Sequence, residues 1–483
     1  MEKIYIGNSE KGEKVYLDPS SLTRHGLITG STGSGKTTTV KVLIEELNKR
    51  NISTFVSDIK GDLSSLIEEG DSSTVEERLE NLKITDYKPE SFKVNFLDLF
   101  GKMGLDVNTS VTDFGPYMLK VLLELNQTQE EIMVQAIKFA DENGIKILDF
   151  DDLKALFEYF RDNIKELKEK YGLLNPQSIG KILRSIDALE EKGLRDFFKE
   201  PAFDINDLFS EDGRINILYS KELYKYPSLY TAINLFFLSS IYNKLEEVDF
   251  EDVPKMVFFF DEAHLIFKGA NPYMIDEIEK IVRLIRSKGV GIFFITQYVE
   301  DIPEKILSNL SSKIIHSLRA YTPNEIKKVK ALANSIRQEE GIDYEEAILN
   351  LKKGEAIVSF LEEDFVPATA KKVLIKPPLS KLGPANENKV SESVNSSNLY
   401  NKYQIDQNSY SFYEFYIEDA EKRKEFEKEM ELQKQKEMSE KKEAKERKKA
   451  MSPFTKMLNS MLYSIGREAG KSIYRGIFGT RKR

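Results

Sequence analysis

The sequence predicts an α/β fold built on a parallel sheet, with an inserted α-helical subdomain and a helical carboxyl-terminal tail. Three observations carry this. Residues 27–57 read strand, glycine-rich turn, amphipathic helix, strand, which is one βαβ unit and implies parallel pairing. Five further near-continuous apolar runs lie between residues 214 and 360, the pattern of parallel strands covered on both faces. Between them, residues 111–200 switch to a helical period.

Taken in order, residues 1–20 form a short hairpin or flap, with Ile4 and Ile6 on one strand and Lys14–Asp18 as the other. Residues 21–110 hold the first part of the core. Its strand Leu27–Gly30 runs into Gly30-Ser31-Thr32-Gly33-Ser34-Gly35-Lys36-Thr37, and the helix Thr37–Lys49 carries Val40, Leu43, Ile44 and Leu47 on one side. Residues 111–200 hold helices over Phe114–Leu125, Thr128–Asp141, Phe150–Lys168 and Pro176–Lys192. Thr128-Gln-Glu-Glu131 reads as a capping box, and Asn175-Pro176 as a cap residue before a first-turn proline. Residues 201–378 return to strands at Arg214–Tyr219, Lys255–Phe260, Val290–Thr296, Lys313–Leu318 and Gly354–Phe360, all read as parallel. Residues 379–420 contain an Asn- and Ser-rich stretch and read as a linker. Residues 421–450 carry 21 charges in 30 positions, a solvated helix or disordered run. In 451–483, Phe454, Leu458, Met461, Ile465, Ala469, Ile473 and Ile477 recur every three or four residues opposite Lys456, Arg467, Lys471 and Arg475, a basic amphipathic helix.

Composition removes several chemistries. The 483 residues include no cysteine, so disulfides, thiolate nucleophiles and thiolate metal sites are excluded. Three histidines, His25, His264 and His316, leave oxygen ligands as the expected donors for any metal. The net charge is -9, but residues 421–483 hold 19 basic and 10 acidic side chains, so the remainder is strongly acidic. With no run of 18 apolar residues and no secretory leader pattern, the expected location is the cytoplasm.

The stretch from Gly30 to Thr37 is a complete G-x-x-x-x-G-K-T phosphate loop in strand-loop-helix context. Its glycines let backbone N–H groups converge on an anion, Lys36 reaches the β- and γ-phosphates, and the Thr37 hydroxyl ligates Mg2+; Thr38 continues the cradle. ATP and Mg2+ are therefore the expected ligands. A second element, Met256–Phe260 followed by Asp261-Glu262, delivers two carboxylates to a strand end, Asp261 for the metal and Glu262 to polarise the attacking water. Gln297, after Val290–Thr296, is placed to touch both the γ-phosphate and that water. Asp58 and Lys60 leave another strand on the same side as groups of the rim. Arg286 and Arg319 are candidates for cationic stabilisation of the γ-phosphate, on their own nucleotide or a neighbouring subunit's. His264 reads equally as a packing or a bridging residue.

Together these blocks resemble the HerA/FtsK superfamily of ring ATPases, most closely the bacterial YjgR-type HerA-like helicases (DUF853). The stretches that carry the resemblance are Arg24–Gly30, Asp58–Leu63, Phe114-Gly-Pro116 with Leu125–Gln129, Ser178–Gly180 with Leu189–Gly193, Glu200–Asp204, Phe260–Leu265, Thr296-Gln297 with Asp301–Pro303, and His316–Ala320; the tail adds Gly466-Arg467 and Ile473–Gly479. The resemblance implies a RecA-like P-loop ATPase core and a homo-oligomer, a hexameric ring. It also implies Gln297 as sensor, an arginine acting between subunits, and movement of double-stranded DNA with a nuclease or other protein partner. The chain departs from the family at Leu105–Ser110, where an arginine is common, and in having at most residues 3–18 in place of an N-terminal β-barrel. A second reading is an ATPase that remodels or secretes protein, or a membrane-associated energised scaffold whose basic tail makes peripheral contact with anionic lipid.

Overall fold

The computed structural model describes residues 2–172, 174–248, 253–268, 270–362, 365–403 and 409–450. Among these, twelve strands form one sheet: β1 (Ile4–Ser9), β2 (Lys14–Leu17), β3 (Gly26–Thr29), β4 (Ser53–Asp58), β5 (Val94–Asp98), β6 (Leu105–Asp106), β7 (Ile215–Tyr219), β8 (Met256–Phe260), β9 (Val290–Thr296), β10 (Ser312–His316), β11 (Glu355–Ser359) and β12 (Lys371–Ile375). Their spatial order is β2-β1-β12-β11-β10-β3-β9-β8-β4-β7-β5-β6. From β10 to β6 every neighbouring pair is parallel. Every residue of β4, β8 and β9 is buried, as helices on both faces require. Rings of adjacent strands meet in the tilted pair Phe259–Phe293 and the stacked pair Phe260–Phe294.

The other four strands are antiparallel. This corrects the reading of 354–360 as a parallel strand. The connection from β10 to β11 begins and ends at the same edge of the sheet, so β11 must run back down. The expected amino-terminal hairpin is present, but β1 pairs with β12 and extends the sheet, so it is no free flap. Strands β5, β6 and β12 were not predicted.

The helix after the glycine-rich loop, α1, spans Lys36–Asn48, and α2 spans Ser72–Leu82. Between β6 and β7 lie helices Val111–Leu122, Gln127–Glu142, Phe150–Asp162, Ile164–Tyr171 and Pro176–Glu191. The second is capped by Asn126 and not by Thr128, because Asn126 and Gln129 form the reciprocal capping box. Phe114 packs on Phe197, Phe198 and Phe236, so these helices share an aromatic core with helix Pro227–Lys244 of the sheet's cover.

Residues 379–403 depart from the linker reading. They form helices Glu387–Asn395 and Asn398–Tyr403, with Val390, Val394 and Tyr403 buried. The preceding turn is held by α1: Glu45, buried, accepts from Leu379 N–H (2.7 Å), Ser380 N–H (3.0 Å) and the Ser380 hydroxyl (2.6 Å). Lys41, also buried, donates to the Lys381 carbonyl at 2.5 Å. Polar composition therefore serves a buried polar contact here.

Among the described residues, those up to Phe412 make one compact unit and Tyr413–Ala450 belong to a second. The helix Phe412–Ala450 is exposed over most of its length and carries i,i+4 ion pairs such as Arg423–Asp419 and Lys441–Glu437. The tail 451–483 lies outside the described residues. No helix among the described residues is long and apolar enough to cross a membrane.

Candidate functional site

Because β10, β3, β9, β8 and β4 are adjacent and parallel, their carboxyl ends share one edge. The segments that leave that edge are Ser317–Arg319, the glycine-rich loop, Gln297, Asp261-Glu262 and Asp58–Lys60. Open α/β sheets bind ligands along this edge.

The loop is packed from below and open above. A Cβ on Gly30 would lie 2.5 Å from His316 Cβ, and one on Gly35, at φ +122, would lie 3.2 Å from Gly354 Cα. At Gly33 it would meet nothing within 4 Å. Ser31 N–H donates to the Ser317 carbonyl (2.8 Å), and Gly354 N–H to the Ser34 carbonyl (2.9 Å). Lys36 is buried and donates to the carbonyls of Gly30 (2.6 Å) and Ser31 (3.0 Å), acceptors of its own loop. Burial brings its pKa down to about 8, with Lys60 pushing the same way against Glu262 and Asp261. A buried cation under an open turn of glycines, with Ser34 Oγ buried and without a partner among the described residues, fits a polyphosphate. Thr38 stands on the first turn of α1.

Thr37, Asp58, Asp62 and Asp261 line one small recess beside the loop. Burial raises the Asp261 carboxyl to about 7, and Asp58 and Glu262 add to this against Lys60. Crowded carboxylates beside a hydroxyl suit a divalent cation. Among the described residues no group of three His, Asp or Glu is arranged to hold a metal by itself. Mg2+ takes one or two protein ligands and completes its shell with water and phosphate oxygens.

Glu262 lies at φ +47, a conformation costly for a residue with a Cβ. Its Oε1 accepts from Lys60 Nζ (2.5 Å) and Gln297 Nε2 (3.1 Å), and Gln297 Oε1 in turn accepts from Thr32 Oγ1 (2.9 Å). Burial alone would raise the Glu262 pKa, but the bonds from Lys60 and Gln297 hold it below the ordinary value. Burial would likewise lower that of Lys60, which Glu262, Asp261 and Asp62 raise instead. His264 Nδ1 approaches Glu262 Oε2 at 3.4 Å without a hydrogen bond, and its ring meets Tyr298 edge-on.

The two arginines part company. Arg319 is exposed; its N–H donates to Ser31 Oγ (3.1 Å), and it lines a cavity of about 720 Å3 with Thr32, Gln297, Tyr298 and Tyr321. Arg286 sits in the turn Ile285–Lys288 before β9, at the opposite end of that strand from Gln297 and near Arg24 and His25. Seven residues of strand separate the ends by roughly 20 Å, so Arg286 cannot serve its own chain's loop.

Three supports escaped the sequence. His316 lies beneath the loop, Gly354 beside it, and Arg78 of α2 donates to the carbonyls of Gly354 (3.2 Å), Ile375 (3.0 Å) and Lys353 (3.0 Å). Only a glycine in a short turn before β11 hinted at this contact. Arg78, on an unpredicted helix, left no signal.

The family model described as "Helicase HerA-like C-terminal" matches residues 3–483. The chain belongs to that family. It is thereby a member of the HerA/FtsK-like ATPase superfamily. Relatives of this HerA-like chain include a Methanocaldococcus jannaschii protein named as a probable helicase, 24% identical over 355 residues, covering 71% of this chain and 62% of the relative. The DNA double-strand break repair helicase HerA of Sulfurisphaera tokodaii is 24% identical over 369 residues, covering 71% and 64%. The match thus spans less than two thirds of these relatives' length. Among solved structures, plasmid coupling protein TrwB in complex with ADP and Mg2+ aligns with a TM-score of 0.52 at 15% identity, over 80% of this chain and 96% of TrwB. VirB4 of Thermoanaerobacter pseudethanolicus aligns at 0.50 and 16%, over 77% and 96%. At such identities the likeness is one of fold.

Proposed function

We propose that this HerA-like chain hydrolyses ATP through a RecA-like core, closest to the YjgR type, and works as a homo-oligomeric, hexameric ring on double-stranded DNA. The observation that carries the reading is the meeting, at one sheet edge, of the glycine-rich loop, the Asp261-Glu262 pair and Gln297. The backbone from Gly30 to Thr38 wraps the phosphates and Lys36 turns its ammonium to them. Thr37 and Asp261 would hold Mg2+, which when bound neutralises and orients the phosphate oxygens. Glu262 takes the proton of the attacking water, and Gln297, joined to Thr32 and Glu262, relays occupancy of the loop. Arg286 acts on the nucleotide of a neighbouring subunit; Arg319 stands at the rim of its own site.

DNA as substrate is supported by the helicase names of the relatives and by Lys327, Lys328 and Lys330 on helix Pro323–Ala333, which shares the cavity beside Gln297. The test is ATP turnover of the full chain with and without linear duplex DNA, beside a mass measurement in ATP. Stimulation that fades with salt supports a DNA motor. Hydrolysis indifferent to duplex DNA removes DNA and leaves an ATPase acting on protein or at a membrane. Absence of hydrolysis removes the reading altogether.

A further inference from the structure

Lys60 is anchored independently of its side chain. The Asp58 carboxylate, 1% exposed, accepts backbone N–H groups from Lys60 (3.1 Å), Gly61 (2.8 Å) and Leu63 (3.0 Å). Gly61 makes the bend at φ +79, a region glycine enters without penalty. From this fixed turn the Lys60 ammonium reaches Glu262 Oε1 at 2.5 Å, across 202 residues of sequence. Glu262 holds a strained backbone, is 6% exposed, and has no hydrogen-bond partner at Oε2 among the described residues. Among the described residues Gln297 supplies the other bond to Oε1, and Gln297 is itself tied to the loop through Thr32. The carboxylate's aim therefore depends on the lysine.

We propose that Lys60 is the positioning residue for Glu262, holding that carboxylate toward the glycine-rich loop so that it can act on the attacking water. The proposal rests on the reading of Glu262 as the base of ATP hydrolysis. A cation fixed by Asp58 selects one rotamer of the carboxylate. Without it, the neutral amide of Gln297 is the hydrogen-bond donor left to Glu262 among the described residues, with His264 Nδ1 near Oε2 at 3.4 Å but not bonded to it. Arginine at position 60 could keep a charged contact with displaced geometry.

The experiment uses the full chain and compares wild type, Lys60→Met, Lys60→Arg, Glu262→Gln and the Lys60→Met/Glu262→Gln double variant, with ADP affinity and thermal unfolding as checks of folding. Lys60→Met should lower kcat about 10- to 100-fold with KM and ADP affinity nearly unchanged. Lys60→Arg should recover part of the loss. In the Glu262→Gln background, Lys60→Met should cost nothing further in single-turnover hydrolysis, because a residue that acts through Glu262 has nothing left to position. The proposal is overturned by an unchanged kcat, by a loss confined to KM, or by losses that multiply in the double variant. Failure of wild type to hydrolyse ATP would instead remove the underlying reading. If Lys60→Met fails to fold, Lys60→Arg and its double variant with Glu262→Gln decide by the same non-additivity.

Discussion

Thr39 donates its hydroxyl proton to Nε2 of His316 across 2.9 Å, and the direction of that bond is set by a third residue. His316 Nδ1 lies 2.9 Å from the Glu355 carbonyl, which can only accept, so Nδ1 carries the proton and Nε2 of the neutral ring must accept. One imidazole thus ties α1, β10 and β11 together directly under the glycine-rich loop.

This buried ring makes stability pH-dependent. Burial holds His316 down at about 4; the Glu355 bond opposes this and Lys36 adds to it. An unfolded imidazole titrates near 6.5, so between these values the unfolded chain binds the proton that the native chain refuses. Stability is therefore complete above about pH 6.5 and is lost as pH falls toward 4. From pH 7.5 to pH 5 the loss is about 2 kcal/mol from this residue. His25, held at about 4 mainly by burial, has the same sign. His316→Gln should be less stable at pH 7.5 in urea unfolding yet lose about 2 kcal/mol less on going to pH 5. Parallel pH profiles for the two chains would contradict the assignment.

Glu262→Gln should retain ATP binding and lose most turnover, because Glu262 is assigned to the water. Lys36→Ala should lose affinity, since it removes the loop's buried cation. Equilibrium binding of ATP beside steady-state turnover separates the two; equal loss of binding in both variants would refute the division of roles.

Arg286 stands at the far end of β9 from its own loop, so in the proposed ring it is assigned to the nucleotide of a neighbouring subunit. Mixing Arg286→Ala chains with Lys36→Ala chains should restore part of the turnover each lacks, since some interfaces then pair an intact loop with an intact arginine. Arg319, beside its own loop, should give no such rescue. The reverse outcome would exchange the two assignments.

Glu45→Ala should lower stability by about 2–4 kcal/mol, because it leaves the part-buried donor of Leu379 and the buried donors of Ser380 without an acceptor. Glu45→Gln keeps an acceptor and should cost less. Thermal unfolding, with limited proteolysis of residues 379–395, reads both. Glu45→Ala as stable as wild type would mean that the turn is held elsewhere.

The sequence by itself determined the strand-loop-helix unit at 26–48, the strands β4 and β7–β10, the carboxylates after β8 and the helical texture of 111–200. These depend on short-range causes: apolar periodicity, glycines that permit a tight loop, and polar residues at strand ends. It misplaced the start of the helix at Gln127, where two neighbouring polar residues competed for the cap, and the direction of β11, which depends on where the preceding connection ends. Only the tertiary structure decided which strands are neighbours. That order brings Glu262 to Lys60, 202 residues away, and sets Thr32 against Gln297, 265 away. It likewise made an Asn- and Ser-rich stretch into a strap on α1, 334 residues from Glu45. A hydrogen bond between distant residues leaves no period and no local composition to read. Its energy arises only when the fold removes both partners from water together.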